Sequence, residues 1–147
     1  MYNYNMDLSI PIKDTTLYIR VAAIIETPKG FLFEVSKDGD YIFIIGGKIK
    51  INENSKKALI REIFEEIGIA VENMDLCSVI ENIYTKKDKK MHEICFVYKI
   101  DLPIQDKDLP YGFIEVPLSE INKFDIRPSS VVSILNDNIL FKHIIQN

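Results

Sequence analysis

Apolar and polar positions along this chain group into short blocks of strand length, interrupted by one segment in which the period changes to that of a helix. Leu17 to Ile25 is a nearly unbroken apolar and β-branched run, which predicts a long strand. Pro28-Lys29-Gly30 predicts a turn after it. Phe31 to Val35 predicts a second strand, Lys37-Asp38-Gly39-Asp40 a polar turn, and Tyr41 to Ile45 a third strand running into Gly46-Gly47. Leu76 to Tyr84 and Met91 to Ile100 predict a hairpin with the charged run Lys86 to Lys90 at its tip. A short strand at Phe113 to Val116, a helical turn at Ser119 to Asn122 and a helix over Ser129 to Leu135 follow. The pattern over Ile139 to Ile145 fits strand and helix equally.

Ser55 to Ile67 is the clearest helix. Ser55 is placed to cap its N-terminus, and Gly68 stands where a helix end favours left-handed backbone. Leu59, Ile60, Ile63, Phe64 and Ile67 form an apolar stripe suited to packing on a sheet. On the other side Glu62, Glu65 and Glu66 stand at i, i+3 and i+4 and share one face. The elements together predict an α+β fold, a single domain over residues 1–147, with this helix packed on a mainly β core.

Composition narrows the function. The chain has 147 residues, 47% hydrophobic and 27% charged, so a folded globular chain is expected. A net charge of −4 disfavours charge-driven binding to duplex nucleic acid. No stretch approaches the ~20 apolar residues that span a bilayer, and Met1 to Asp7 lacks the pattern of a secretion signal, so a cytoplasmic protein away from the membrane is expected. Cys77 and Cys95, the two cysteines, have no metal-ligand spacing and are expected to be reduced and inward-facing.

The chemistry concentrates in Gly47 to Ile69, GKIKINENSKKALIREIFEEIGI, which fits G-x5-E-x7-R-E-U-x-E-E-x-G-U with U a bulky aliphatic. All nine specified places are filled, and a chance fit at one start is on the order of one in 10⁸. A solvated acidic helix face explains the glutamates alone. It gives no reason for Glu53 and the glycines to fall at these offsets. Three carboxylates at i, i+3 and i+4 repel by a few tenths of a kcal/mol per pair, and a hard dication relieves that.

The segment resembles the Nudix box. Gly46-Gly47, the strand beginning Met91-His92-Glu93-Ile94 and the run Val116-Pro117-Leu118 extend the resemblance over most of the chain. It implies an α/β/α sandwich with a mixed sheet, and hydrolysis of the diphosphate linkage of a nucleoside diphosphate joined to another group, with Mg²⁺ or Mn²⁺ as cofactor. It implies Glu65, Glu66 and Glu62 as metal ligands with the Gly46 carbonyl, Glu62 as the base, Glu53 in support and Arg61 orienting the glutamates. An acid outside the box is expected among Glu93, Asp106, Asp108 and Glu115; Arg20, Glu93 and Glu115 are expected to face substrate. Glu115 stands where many relatives have tryptophan, which leaves a stacking platform there in doubt. Tyr84 lies roughly where relatives acting on dinucleoside polyphosphates carry a tyrosine. The expected partner is a small-molecule nucleotide, and a homodimer fits the family. Two other readings stay open: a nucleotide sensor without catalysis, and a prenyl-diphosphate isomerase using Cys77 or Cys95.

Overall fold

A computed structural model of the chain describes residues 6–102, 109–137 and 141–146. Ten strands among these residues join in one mixed sheet: β1 (Ser9–Ile12), β2 (Thr15–Thr27), β3 (Gly30–Val35), β4 (Ile42–Phe43), β5 (Ile45–Lys48), β6 (Met74–Lys86), β7 (Lys89–Asp101), β8 (Phe113–Val116), β9 (Ile126–Arg127) and β10 (Lys142–Gln146). Two helices, α1 (Ser55–Ile67) and α2 (Val131–Asn136), and a 3-10 turn at Leu118–Lys123 complete the fold. The strand order is β10-β6-β7-β2-β3-β4-β9, with β1 and β5 also paired to β2 and β8 to β3.

β2 organises the molecule. It lies parallel to β7 from Thr15↔Lys90 to Glu26↔Asp101, and antiparallel to β5 from Arg20↔Lys48 to Ala23↔Ile45. The unbroken apolar run over residues 21–25 follows from burial on both faces, as expected of a central strand. Val21, Ala23 and Ile25 pack with Leu59 and Ile63 of α1, whereas Ala22 and Ile24 pack with Ile121 of the 3-10 turn and Val131 of α2. Helix, sheet and helix therefore form three layers, the expected α+β sandwich.

Several expectations shift in detail. The hairpin strands β6 and β7 run further than predicted, and the tip shrinks to Lys87-Asp88, both at positive φ (47° and 63°) as a two-residue turn requires. The predicted third strand divides into β4 and β5. β1 and β9 add pairings that so few residues do not signal in sequence. The ambiguous C-terminal stretch forms a strand at Lys142–Gln146, parallel to β6; residues 139 and 140 lie outside the described ones. Helix α1 has the predicted bounds, but its cap is Asn54, whose side chain accepts the Lys57 N–H at 3.0 Å. The Ser55 hydroxyl instead meets the Tyr98 hydroxyl at 2.6 Å. Gly68 ends the helix at φ 71° with its N–H on the Phe64 carbonyl. Ile60 and Phe64 do not join the core: they are 39% and 60% exposed, because the buried contact follows Ala58, Leu59 and Ile63.

Candidate active site

The box begins where β5 lies beside β2, with Gly47 opposite Val21 and Gly46 opposite Ala22. Close approach of backbone forces the glycine at position 46, and at position 47 a side chain would displace the Glu62 carboxylate. A Cβ on Gly46 (φ 155°) would stand 2.1 Å from the Val21 carbonyl oxygen. One on Gly47 would stand 2.3 Å from the Glu62 carboxylate. Gly47 is thus the surface against which Glu62 rests. The chain then turns through Asn52 at φ 62°, which returns Glu53 to the Lys50 N–H at 3.0 Å before α1 starts.

Arg61 ties these pieces together. Its guanidinium donates to both Glu53 oxygens, Nε to Oε1 and Nη2 to Oε2, each at 2.8 Å. It also donates to Glu62 Oε1, to the Lys48 carbonyl at 3.1 Å and weakly to Glu65 Oε2 at 3.5 Å. The two-pronged bond to Glu53 suits the planar fork of arginine. It holds the Glu53 carboxyl below its usual range and pushes the guanidinium up. Glu53 is thus the main partner of Arg61, and Glu65 a distant one.

Glu66 differs from its neighbours. Its Oε2 is buried and accepts no hydrogen bond. Burial, followed by the negative charges of Glu34 and Glu62, pushes its carboxyl from the ordinary 4.5 to about 7, with Arg20 opposing and Glu65 adding a smaller push. Glu62, Glu65 and Glu66 all stand in the last six residues of α1, the negative end of the helix dipole, with no basic residue in the last turn. A carboxylate oxygen kept from water amid like charges is costly unless a cation joins it. An all-oxygen donor set of this kind suits a hard dication such as Mg²⁺ or Mn²⁺. Among the described residues no three carboxylate, imidazole or thiol groups already converge closely enough to hold an ion. Arg61 instead holds Glu53 and Glu62 to itself.

A cleft of about 580 Å³ is lined among others by Tyr18, Arg20, Tyr41, Tyr84, Glu93 and Arg127, with none of the α1 glutamates in its wall. Arg20 joins the two regions. Its charge acts on Glu34 and Glu66 on one side, and its Nη1 stands 4.0 Å from Glu93 Oε2 on the other. Glu93 is 3% exposed. The Tyr18 hydroxyl donates to its Oε2 at 2.5 Å, and the Tyr84 hydroxyl stands 2.5 Å from that of Tyr18. Burial and these bonds push the Tyr18 phenol up, so it keeps its proton.

Arg20 and Glu93 therefore meet in the cleft, whereas Glu115 does not line it. In the β8–β3 register Glu115 lies opposite Leu32, and its carboxylate pairs with Lys29 at 3.9 Å. Asp106 and Asp108 lie outside the described residues. Lys86 reaches the mouth of the cleft, while Lys90 pairs with Asp14 at 2.7 Å. Two participants, Tyr18 and Glu34, escape sequence reading. Tyr18 and Tyr84 meet only because β2 and β6 both flank β7, and Glu34 bears on Glu66 from a strand distant in sequence. No local pattern signals either contact, although Tyr84 stands at a place the family resemblance singles out.

Comparison with known proteins bears on the family and the fold. Residues 17–129 match the model of the NUDIX domain. The chain is 45% identical over 47 residues to an 8-oxo-dGTP diphosphatase of Buchnera aphidicola, a match that spans 32% of this chain and 38% of that enzyme. Its fold resembles the mutator MutT protein of Bacillus halodurans (TM-score 0.69, 17% identity, 86% of this chain and 89% of that one). It also resembles the MutT protein of Methanosarcina mazei Go1 (TM-score 0.63, 23% identity, 86% and 94%) and the Ap4A hydrolase of C. elegans (TM-score 0.59, 20% identity, 82% and 94%). Sheet, box and matched span lead to one assignment: the chain belongs to the NUDIX domain family.

Proposed function

We propose that this chain hydrolyses the diphosphate linkage of a nucleoside diphosphate derivative, with Mg²⁺ or Mn²⁺ held by Glu62, Glu65, Glu66 and the Gly46 carbonyl. The observation that carries this reading is the buried Glu66 oxygen without a hydrogen bond, crowded by the charges of Glu34, Glu62 and Glu65. When bound, the ion supplies charge neutralisation at the phosphates and an acidified water. Glu62, which lies against Gly47 and accepts from Arg61, would serve as the proton acceptor. Arg61 and Glu53 keep the loop Lys48 to Glu53 and the start of the catalytic face in register. Arg20 places one positive charge between the glutamates and the cleft, where an anionic substrate enters.

The relative that matches over 47 residues is an 8-oxo-dGTP diphosphatase, which favours a nucleoside triphosphate over a nucleotide sugar as the compound cleaved. An isomerase reading has no support in the cysteines: both thiols are free, and burial pushes both up, Cys95 to about 12, so neither is poised as a thiolate. A sensor without catalysis is disfavoured by the complete glutamate set. The test is incubation of the full chain with nucleoside triphosphates, nucleotide sugars and dinucleoside polyphosphates in Mg²⁺ or Mn²⁺. Release of a nucleoside monophosphate is expected from at least one class, and none without divalent metal. Binding without product in every class would replace the hydrolase reading with the sensor.

A further inference from the structure

Glu93 is a nearly buried carboxylate whose side chain forms part of a ligand-sized cleft, an arrangement that needs a reason. Among the described residues both of its polar contacts fall on one oxygen: Oε2 takes the Tyr18 hydroxyl at 2.5 Å and the charge of Arg20 at 4.0 Å. Since the Tyr18 proton is committed to Glu93, the Tyr84 hydroxyl donates to Tyr18, and the chain of donors Tyr84, Tyr18, Glu93 runs toward the carboxylate. Oε1 remains an acceptor, and Oε2 keeps a second lone pair.

Across the cleft stands a flat wall. The Arg127 guanidinium lies 4.1 Å from the centre of the Tyr41 ring, and Asp125 fixes it through bonds of 3.2 and 2.8 Å. Phe43 packs beside Tyr41 with ring centres 6.0 Å apart. A guanidinium stacked on a ring offers its outer face to another planar group. Along β2, Arg20 lies two residues from Tyr18 and so on the same face; it stands 4.0 Å from Glu93 Oε2, and its charge also acts on Glu66. A planar group held at Glu93 thus has beside it the one arginine, among the described residues, that bears on both the cleft and the glutamates.

We propose that Glu93 is the specificity-determining residue of the cleft and selects a keto-purine base, guanine or hypoxanthine, over adenine. The proposal rests on the hydrolase reading for its purpose, but not for its test. A carboxylate has only acceptors to offer, so its partner must present N–H donors. Guanine presents two side by side, at N1 and at the 2-amino group; hypoxanthine keeps the first. Adenine presents a donor beside the bare N1 lone pair, which would face the carboxylate and repel it. The edge read in this way is the same in guanine and in guanine oxidised at C8, so the contact selects the base and not its oxidation.

Calorimetric binding of GMP, IMP and AMP to the full chain in Mg²⁺ buffer tests the proposal. GMP is expected to bind at least about tenfold tighter than AMP, with IMP between them. Glu93→Gln, which exchanges one acceptor for a donor, is expected to reverse the order in favour of AMP. Tyr41→Ala, which removes the support of the stacking wall, is expected to weaken all three alike. AMP binding as tightly as GMP, no binding of any of the three at millimolar concentration, or an order unchanged in a folded Glu93→Gln protein would overturn it. Should that variant not fold, the wild-type order decides alone. Binding in the expected order without product from any of the three substrate classes would refute the hydrolase reading and leave the base assignment standing; cleavage without discrimination would do the reverse.

Discussion

Glu66→Gln is expected to lower turnover on the order of a thousandfold or more while the protein stays folded, because it removes a charge from the proposed ion site and alters nothing else of comparable size. Its effect on stability has a sign that depends on pH. Glu66 holds its proton up to about pH 7 in the folded chain, against an ordinary value of 4.5. Between those two values the folded state binds more protons than the unfolded one. The contribution of Glu66 to metal-free stability is therefore fully present below about pH 4.5 and is lost as pH rises through 7. Glutamine does not titrate. In metal-free buffer the variant should gain on the wild type between pH 5 and pH 8, read as the difference in Tm at each pH. Mg²⁺ should raise the wild-type Tm, more at pH 8 than at pH 6 because the ion competes with a proton, and should leave the variant nearly unmoved. A variant with near-normal rates at saturating metal, or with the pH dependence of the wild type, would remove Glu66 from the site.

Arg61→Ala should do damage of a different kind, to structure and rate together. The guanidinium satisfies both oxygens of Glu53, one of Glu62 and the Lys48 carbonyl, and its side chain is only 20% exposed. Its removal leaves partly buried carboxylates facing each other, at a cost of about 2–3 kcal/mol. Freed from Arg61, Glu62 loses its fixed place against Gly47, and kcat should fall about a hundredfold, as for loss of a positioning group. Arg61→Lys should recover part of the stability but little of the rate, because an ammonium cannot span both Glu53 oxygens as the fork does. Denaturant melts and kcat for both variants check this. An Arg61→Lys protein as active as the wild type would show that charge alone matters and that the fork does not orient the glutamates.

What sequence conveys here and what it conceals follow from the range of the contacts. Helix α1 was legible to the residue at both bounds, because its apolar period, its glycine stop and the box spacing coincide in one continuous segment. The same segment pointed to Glu53 in support and Arg61 as the residue that orients the glutamates, but not to the direct two-pronged bond between them. The cap was misplaced by one residue, since Asn54 and Ser55 are both good caps and only the backbone geometry decides between them. Ile60 and Phe64 read as core on a helical wheel, yet the sheet contacts a narrower stripe of α1 than the wheel offers. The least legible features are those made by strand register. The Tyr18–Tyr84–Glu93 network joins residues 66 and 75 positions apart, and the pressure of Glu34 on Glu66 crosses from the sheet to the helix. Glu115 illustrates the converse: its place in the family pattern suggested the cleft, while the β8–β3 register turns it toward Lys29.

The central claim is that the glutamates of α1 hold a divalent ion beside the cleft. Anomalous diffraction from crystals soaked in Mn²⁺ addresses it without reference to substrate or rate. A peak within about 2.2 Å of carboxylate oxygens of Glu66 and of Glu62 or Glu65 is the predicted result, at the distance expected for small hard dications. Ordered glutamates that remain on Arg61, with no peak at saturating Mn²⁺, would contradict it.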